Sequence, residues 1–164
     1  MQFPFRARKR AWYAAFMSTT TAPASKPEFC MPPMPADHQA TQRVATRLVE
    51  LCRAGKNLDA ITELYADNAR HVEVMEMPGC ERISQGKTSL LEKARRFADT
   101  TVVHGATCGD PVVNGDQFIC AMTMDCTCSE GPMAGQRMNM SETALYTVKD
   151  GKITEGKFFY SCGM

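Results

Sequence analysis

No stretch of this 164-residue chain is apolar for long enough to cross a membrane as a helix. An excess of one charge is also missing. The 19 Lys and Arg nearly match the 18 Asp and Glu, leaving a formal net charge of +1. Such a balance provides no global field to gather nucleic acid or an acidic membrane, so neither is expected as a partner. A Gly-rich phosphate loop is lacking too. Gly86-Lys87-Thr88 looks like the end of one, but the earlier glycine would fall at Glu81, and no parallel βαβ unit surrounds it. Paired metal-ligand groups are likewise missing. Cys126-x-Cys128 with Cys120 has no second ligand pair at a suitable spacing, and no metal or organic cofactor is expected.

What is present suits one domain with an extension. The length is enough to bury a core without staples. The eight cysteines are scattered, several of them on apolar strand faces, which fits free, buried, reduced thiols in a cytoplasmic protein. The twelve methionines, adaptable and polarizable, hint at a pocket lining. Residues 1–36 read differently. A basic cluster (Arg6, Arg8, Lys9, Arg10) precedes a short apolar stretch and then a Thr-, Ala- and Pro-rich one. This segment is expected to be disordered, or to precede a true start at Met17, Met31 or Met34; a secretory or transit signal is the rival reading. The domain is expected over residues 37–164.

Helix signals begin at Asp37, a candidate N-cap, and Val44, Leu48, Leu51 and Cys52 form a one-sided stripe ending near Gly55. Ala60, Ile61, Leu64 and Tyr65 form the face of a second, short helix closed by Asp67 and Asn68, with a strand from Arg70 to Met75. A third helix is expected from about Lys87 to Ala98, burying Leu90, Leu91, Ala94, Phe97 and Ala98. From Thr101 the apolar period changes from that of a helix to that of a strand. Strands are expected at 101–108, 111–113, 116–128, 137–149 and 152–162. Asn114-Gly115 and Asp150-Gly151 supply tight turns. Helices followed by an antiparallel meander mean α+β.

This order, with Leu64-Tyr65-Ala66-Asp67-Asn68-Ala69, Gly86-Lys87, Gly135-Gln136-Arg137-Met138, Tyr146-Thr147-Val148-Lys149-Asp150-Gly151-Lys152-Ile153 and Phe158-Phe159-Tyr160, resembles the SnoaL-like branch of the nuclear-transport-factor-two-like (cystatin-like) superfamily over about residues 38–162. The resemblance implies a cone-shaped curved antiparallel sheet packed with about three N-terminal helices and enclosing an apolar pocket. It also implies, in many relatives, a homodimer through the outer sheet face. It implies no single activity, because ketosteroid isomerases, polyketide cyclases, dehydratases and noncatalytic binding or docking domains share the fold. The cyclase-type acid on the last strand would fall near Ser161, which cannot serve as one.

Alternation sorts the two longest strands. Phe118, Cys120, Met122, Met124, Cys126 and Cys128 share one face; Met138, Met140, Glu142, Ala144, Tyr146 and Val148 share another, interrupted by one carboxylate. A carboxyl in apolar company has its pKa raised, as general acid/base work near neutral pH requires. Glu142 is therefore the first candidate acid/base, with His71 as helper through its switchable charge. Tyr65, Met122, Met124, Met140, Tyr146 and Phe159 are the candidate ligand contacts. The hydroxyls of Tyr65, Tyr146 and Tyr160 are candidate hydrogen-bond donors. In the rival arrangement Glu142 lies on the outer face, paired with Arg137 or Lys157, and Asp125 takes its place inside. The expected function is binding of a small apolar molecule. An isomerase, cyclase or dehydratase using the pocket carboxylate, or a dimerisation or docking module, are the alternatives.

Overall fold

A computed structural model describes residues 35–76, 81–131 and 133–160. The N-terminal extension through residue 34, and Ser161 on the last strand, lie outside the described residues. Among the described residues three helices come early: α1 (Ala36–Arg53), α2 (Asn57–Leu64) and α3 (Lys87–Thr100). Seven strands make one sheet: β1 (Tyr65–Val72), β2 (Ile83–Gln85), β3 (Thr101–Cys108), β4 (Val112–Asn114), β5 (Gln117–Cys128), β6 (Arg137–Lys149) and β7 (Lys152–Tyr160). The expected α+β architecture is present, with three helices on a curved, unclosed sheet. Among the described residues no helix is long and apolar enough to cross a membrane.

The strand order is β2-β1-β7-β6-β5-β3, with β4 also paired to β5. All these pairs are antiparallel except β1 with β7, which run parallel, so the sheet is mixed. The parallel pair follows from connectivity: β7 returns through tight hairpins, whereas β1 enters from α2 on the other side.

Helix α1 buries Val44, Leu48 and Leu51 together with Thr41, Ala45 and Val49. Asp37 does not cap it. Pro35 holds the cap position, and the Asp37 carboxylate, inside the first turn, accepts instead from the His38 N–H at 2.9 Å. The other end closes as a Schellman motif: Gly55 N–H donates to the Cys52 carbonyl and Lys56 N–H to that of Leu51, with Gly55 at φ 68°. Helix α2 stops at Leu64 rather than at Asp67, because Tyr65 buries its ring and pairs with Ile153 of β7. Helix α3 fully buries Leu90 alone; Phe97 and Ala98, expected inside, are exposed.

The β6–β7 turn is closed by Asp150 and Gly151, both at positive φ (52° and 72°), the two-residue geometry an Asp-Gly hairpin favours. Beyond it lies a bulge. Val148 pairs with Ile153, but Thr147 pairs with Glu155, leaving Thr154 as the extra residue. Every later position of β7 is thereby displaced by one. The core lies between the helices and the inner sheet face, where Phe118, Cys120, Ala144, Tyr146, Val148 and Ile153 are buried against Val44, Leu48 and Leu64.

Candidate functional site

Alternation places Met122, Met124, Met140 and Glu142 on the same face as buried Phe118, Cys120, Ala144 and Tyr146. Along β6 that face changes character. Ala144, Tyr146 and Val148 are fully covered, whereas Met138, Met140 and Glu142 are only half-buried. The inner face thus has a closed end beneath α1 and α2 and an accessible end, and Glu142 stands between them.

Glu142 is flanked in register by Met122 on β5 and Tyr160 on β7. Burial pushes its carboxyl above the ordinary range, the Glu73 carboxylate pushes it further, and the Lys93 ammonium offsets part of this. Among the described residues Glu142 makes no hydrogen bond or ion pair. The rival arrangement is excluded by partners on the other face. Arg137 grips Asp125 with two hydrogen bonds, 2.8 and 2.6 Å, and Lys157 pairs with Glu155 at 2.9 Å. Asp125 is therefore an outer-face residue, held below the usual carboxylate range by Arg137.

Around Glu142 stands a polar group that the sequence reading missed. Glu73, 9% exposed, follows the end of β1. One of its oxygens accepts from Lys93 Nζ of α3, and the other accepts from the Tyr160 hydroxyl at 3.3 Å. The Lys93 ammonium also stands 5.9 Å from the centre of the Phe158 ring. Both residues carried a spacing signal. Glu73 is two residues beyond His71 on the same strand face, and Lys93 is one helical turn beyond Leu90.

His71 is on the inner face and 8% exposed. Its Nε2 is hydrogen-bonded to the Tyr65 hydroxyl at 3.3 Å, and its ring meets Phe158 edge-on at 4.9 Å. Burial, with help from Lys93, lowers its pKa from 6.5 to about 3, so the ring is neutral near pH 7. His71 engages Tyr65 and Phe158, while Glu73 and Lys93 are the charges that act on Glu142. Gly156 allows the close packing here: a Cβ on it would lie 3.1 Å from a Tyr146 ring carbon and 3.2 Å from a His71 ring carbon. Tyr65 and Tyr146 are both buried and form the closed end of the face, with Tyr146 stacked on Phe118 at 4.9 Å.

Phe159 requires a correction. It pairs with Thr143, points outward and is 54% exposed. Counting back from the turn without a bulge would set it opposite Glu142. The extra residue at Thr154 puts Tyr160 there instead and turns Phe158 inward. The outer face also holds an open depression of about 410 Å³, lined by Asn68, Arg70, Gln85, Thr147, Thr154 and Glu155. Its lining is polar and its one guanidinium is paired with Glu155, so it is not the apolar hollow expected from the sequence.

Cys52, Cys108, Cys120, Cys126 and Cys128 are free thiols. Burial pushes Cys52 up to about 12 and raises Cys108, Cys120 and Cys126 as well, which leaves them poor nucleophiles near pH 7. Among the described residues no group of three His, Cys, Asp or Glu side chains is arranged to hold a metal ion.

A family model described as the SnoaL-like domain matches residues 39–160. No curated protein matches the chain significantly. Among solved structures, a candidate SnoaL-like polyketide cyclase from Mesorhizobium loti is 38% identical, covers 72% of this chain and 97% of that chain, and superposes with a TM-score of 0.65. A nuclear-transport-factor-two-like protein from Burkholderia xenovorans is 10% identical, with coverages of 76% and 91% and a TM-score of 0.61. A protein of unknown function with a cystatin-like fold from Xanthomonas campestris is 14% identical, with coverages of 74% and 90% and a TM-score of 0.60. The last two likenesses establish the fold alone.

Proposed function

Because the chain belongs to the SnoaL-like domain family, we propose that it binds a small, largely apolar molecule against the inner face of its sheet, with Glu142 as the polar group that orients it. The observation that carries this reading is the position of Glu142. A half-buried carboxyl with no hydrogen-bond or ion-pair partner among the described residues stands where the inner face becomes accessible, between Met122, Met140 and Tyr160. A group left in that state costs stability unless a ligand or water completes its hydrogen bonds. Flexible Met side chains beside it adapt to ligand shape. A thermal-denaturation screen of small apolar ligands tests the proposal. A ligand present at a hundred times its Kd stabilises the native state by about 2.7 kcal/mol. Stabilisation that Met122→Ala or Glu142→Gln weakens supports the reading; stabilisation by no compound counts against it.

The raised Glu142 carboxyl favours a second reading, an isomerase, cyclase or dehydratase in which Glu142 moves a proton beside a carbonyl. The Mesorhizobium relative, a candidate polyketide cyclase, is consistent with this. Turnover of a carbonyl substrate that Glu142→Gln abolishes would select it over simple binding.

The outer face supports a homodimer as a further part of the proposal, with a docking role as its alternative. Ile119 pairs with Leu145 and Phe159 lies beside Thr143, an apolar stripe that a second copy would cover. Sedimentation of the wild-type chain and of Phe159→Glu tests this, the variant being expected as a monomer. A cytoplasmic location, consistent with the free thiols, completes the reading.

A further inference from the structure

We infer that the ligand of this interior carries a protonated amine on an apolar body, and that the carboxylate of Glu142 is its ion-pair partner. The inference rests on the ligand-binding reading above and narrows it to one chemical class.

The charges facing the interior lead to it. Four ionisable groups matter: Glu73 after β1, His71 on β1, Lys93 on α3 and Glu142 on β6. Glu73 and Lys93 pair with each other, so their charges cancel. His71 is neutral near pH 7. Glu142, once ionised, is the charge left over, and among the described residues nothing donates to it. An anionic ligand would meet two carboxylates while the nearby ammonium is already held by one of them. A neutral ligand would leave Glu142 to keep its proton, or to ionise without a countercharge. A cation supplies both the countercharge and the missing hydrogen-bond donors.

The surroundings fit a cation as well. The Phe158 ring already carries one ammonium near its face, that of Lys93, at 5.9 Å from the centroid. Tyr160, the register partner of Glu142, presents a second ring on the same side of the sheet. Aromatic faces of this kind attract a desolvated ammonium. Met122, the partner of Glu142 on its other side, offers a polarizable thioether to the apolar body.

Three probes of matched shape test the inference on the full chain by calorimetry near neutral pH: naphthylmethylamine, naphthalenemethanol and naphthoate. The amine is expected to bind at least about tenfold more tightly than the alcohol, a difference of about 1.4 kcal/mol, and the naphthoate more weakly than either. Glu142→Gln is expected to weaken both amine and alcohol binding, but the amine far more, so that its advantage over the alcohol falls to about twofold. The wild-type advantage should also grow as the pH rises through and beyond the raised Glu142 midpoint, as Glu142 ionises. This arm needs no variant and so decides the matter if Glu142→Gln fails to fold. Alcohol binding with no amine advantage overturns the inference and leaves ligand binding standing. Binding by none of the three overturns both. An amine advantage that survives in Glu142→Gln, or that does not change with pH, assigns the ammonium to another group and also overturns it.

Discussion

Glu142 on β6 and Tyr160 on β7 are register partners, so the lone carboxyl projects from the same sheet face as the hydroxyl that donates to Glu73. One interior thus holds two carboxyls in unequal settings. Glu73 is satisfied twice, by Lys93 and by Tyr160, whereas Glu142 is satisfied by neither. Unequal environments are what separate the behaviour of two neighbouring carboxyls.

Stability should follow the ionisation of Glu142. Its native pKa lies above the ordinary glutamate value of 4.5, so the folded state holds the proton more tightly than the unfolded state does. Its contribution is therefore greatest below about pH 4.5 and is lost as the pH rises through the native value. Glu142→Gln cannot ionise, so its melting temperature should exceed that of the wild type by a margin that widens from acidic to mildly alkaline pH. Scanning calorimetry across that range checks the direction; a margin that narrows would be the wrong sign.

His71 should give the opposite dependence. Its pKa is 6.5 unfolded and about 3 in the fold, so below pH 6.5 the unfolded chain takes up a proton that the native ring refuses. The stabilisation is complete above 6.5 and is lost as the pH falls toward 3. A single such group approaches a slope of about 1.4 kcal/mol per pH unit. In urea titrations between about pH 6.5 and about pH 5, before most carboxyls titrate, His71→Gln should flatten the slope of the wild type.

Gly156→Ala should destabilise. The added methyl would stand 3.1 Å from Tyr146 and 3.2 Å from His71, two rings held by Phe118, Tyr65 and Phe158. Overpacking of this kind costs about 1–3 kcal/mol. Gly105→Ala, where nothing lies within 4 Å and φ is not positive, is the matched control and should be close to neutral. Equal midpoints for the two variants in urea would contradict the packing described.

Phe158 and Phe159 should separate binding from assembly. Phe158→Ala removes an inner ring and should weaken any ligand found in the screen by about tenfold, the scale of one lost aromatic contact of about 1.5 kcal/mol. Phe159→Ala, on the outer face, should leave ligand affinity unchanged and shift the monomer–dimer balance instead. Calorimetry and sedimentation on the two variants read both effects.

Much of the fold was legible because two periods dominate the chain. The apolar alternation of 117–128 and 138–148 sorted the two faces of β5 and β6 and put Glu142 with the Met side, while which face lines the interior is decided by the packing of the helices on it. Asp150-Gly151 predicted the final hairpin. What escaped was local geometry and tertiary approach. The bulge at Thr154 exchanges Phe158 and Phe159 between faces, and no residue pattern near it announces an extra residue. The Glu73–Lys93 pair depends on α3 docking beside the end of β1, which links residues twenty positions apart. The end of α2 was misplaced because Asp67 and Asn68 read as a stop, whereas the burial of Tyr65 against the sheet ends the helix earlier.

Nuclear magnetic resonance titration of the Glu142 side-chain carboxyl carbon, assigned through Glu142→Gln, reads the chemistry of this interior at its source. A midpoint clearly above 4.5, lowered when a bound amine is added, is the outcome consistent with a lone carboxyl in a half-buried, apolar setting. A midpoint at or below the ordinary glutamate value would place Glu142 in solvent or in an undetected ion pair, and the proposed ligand site would lose its anchor.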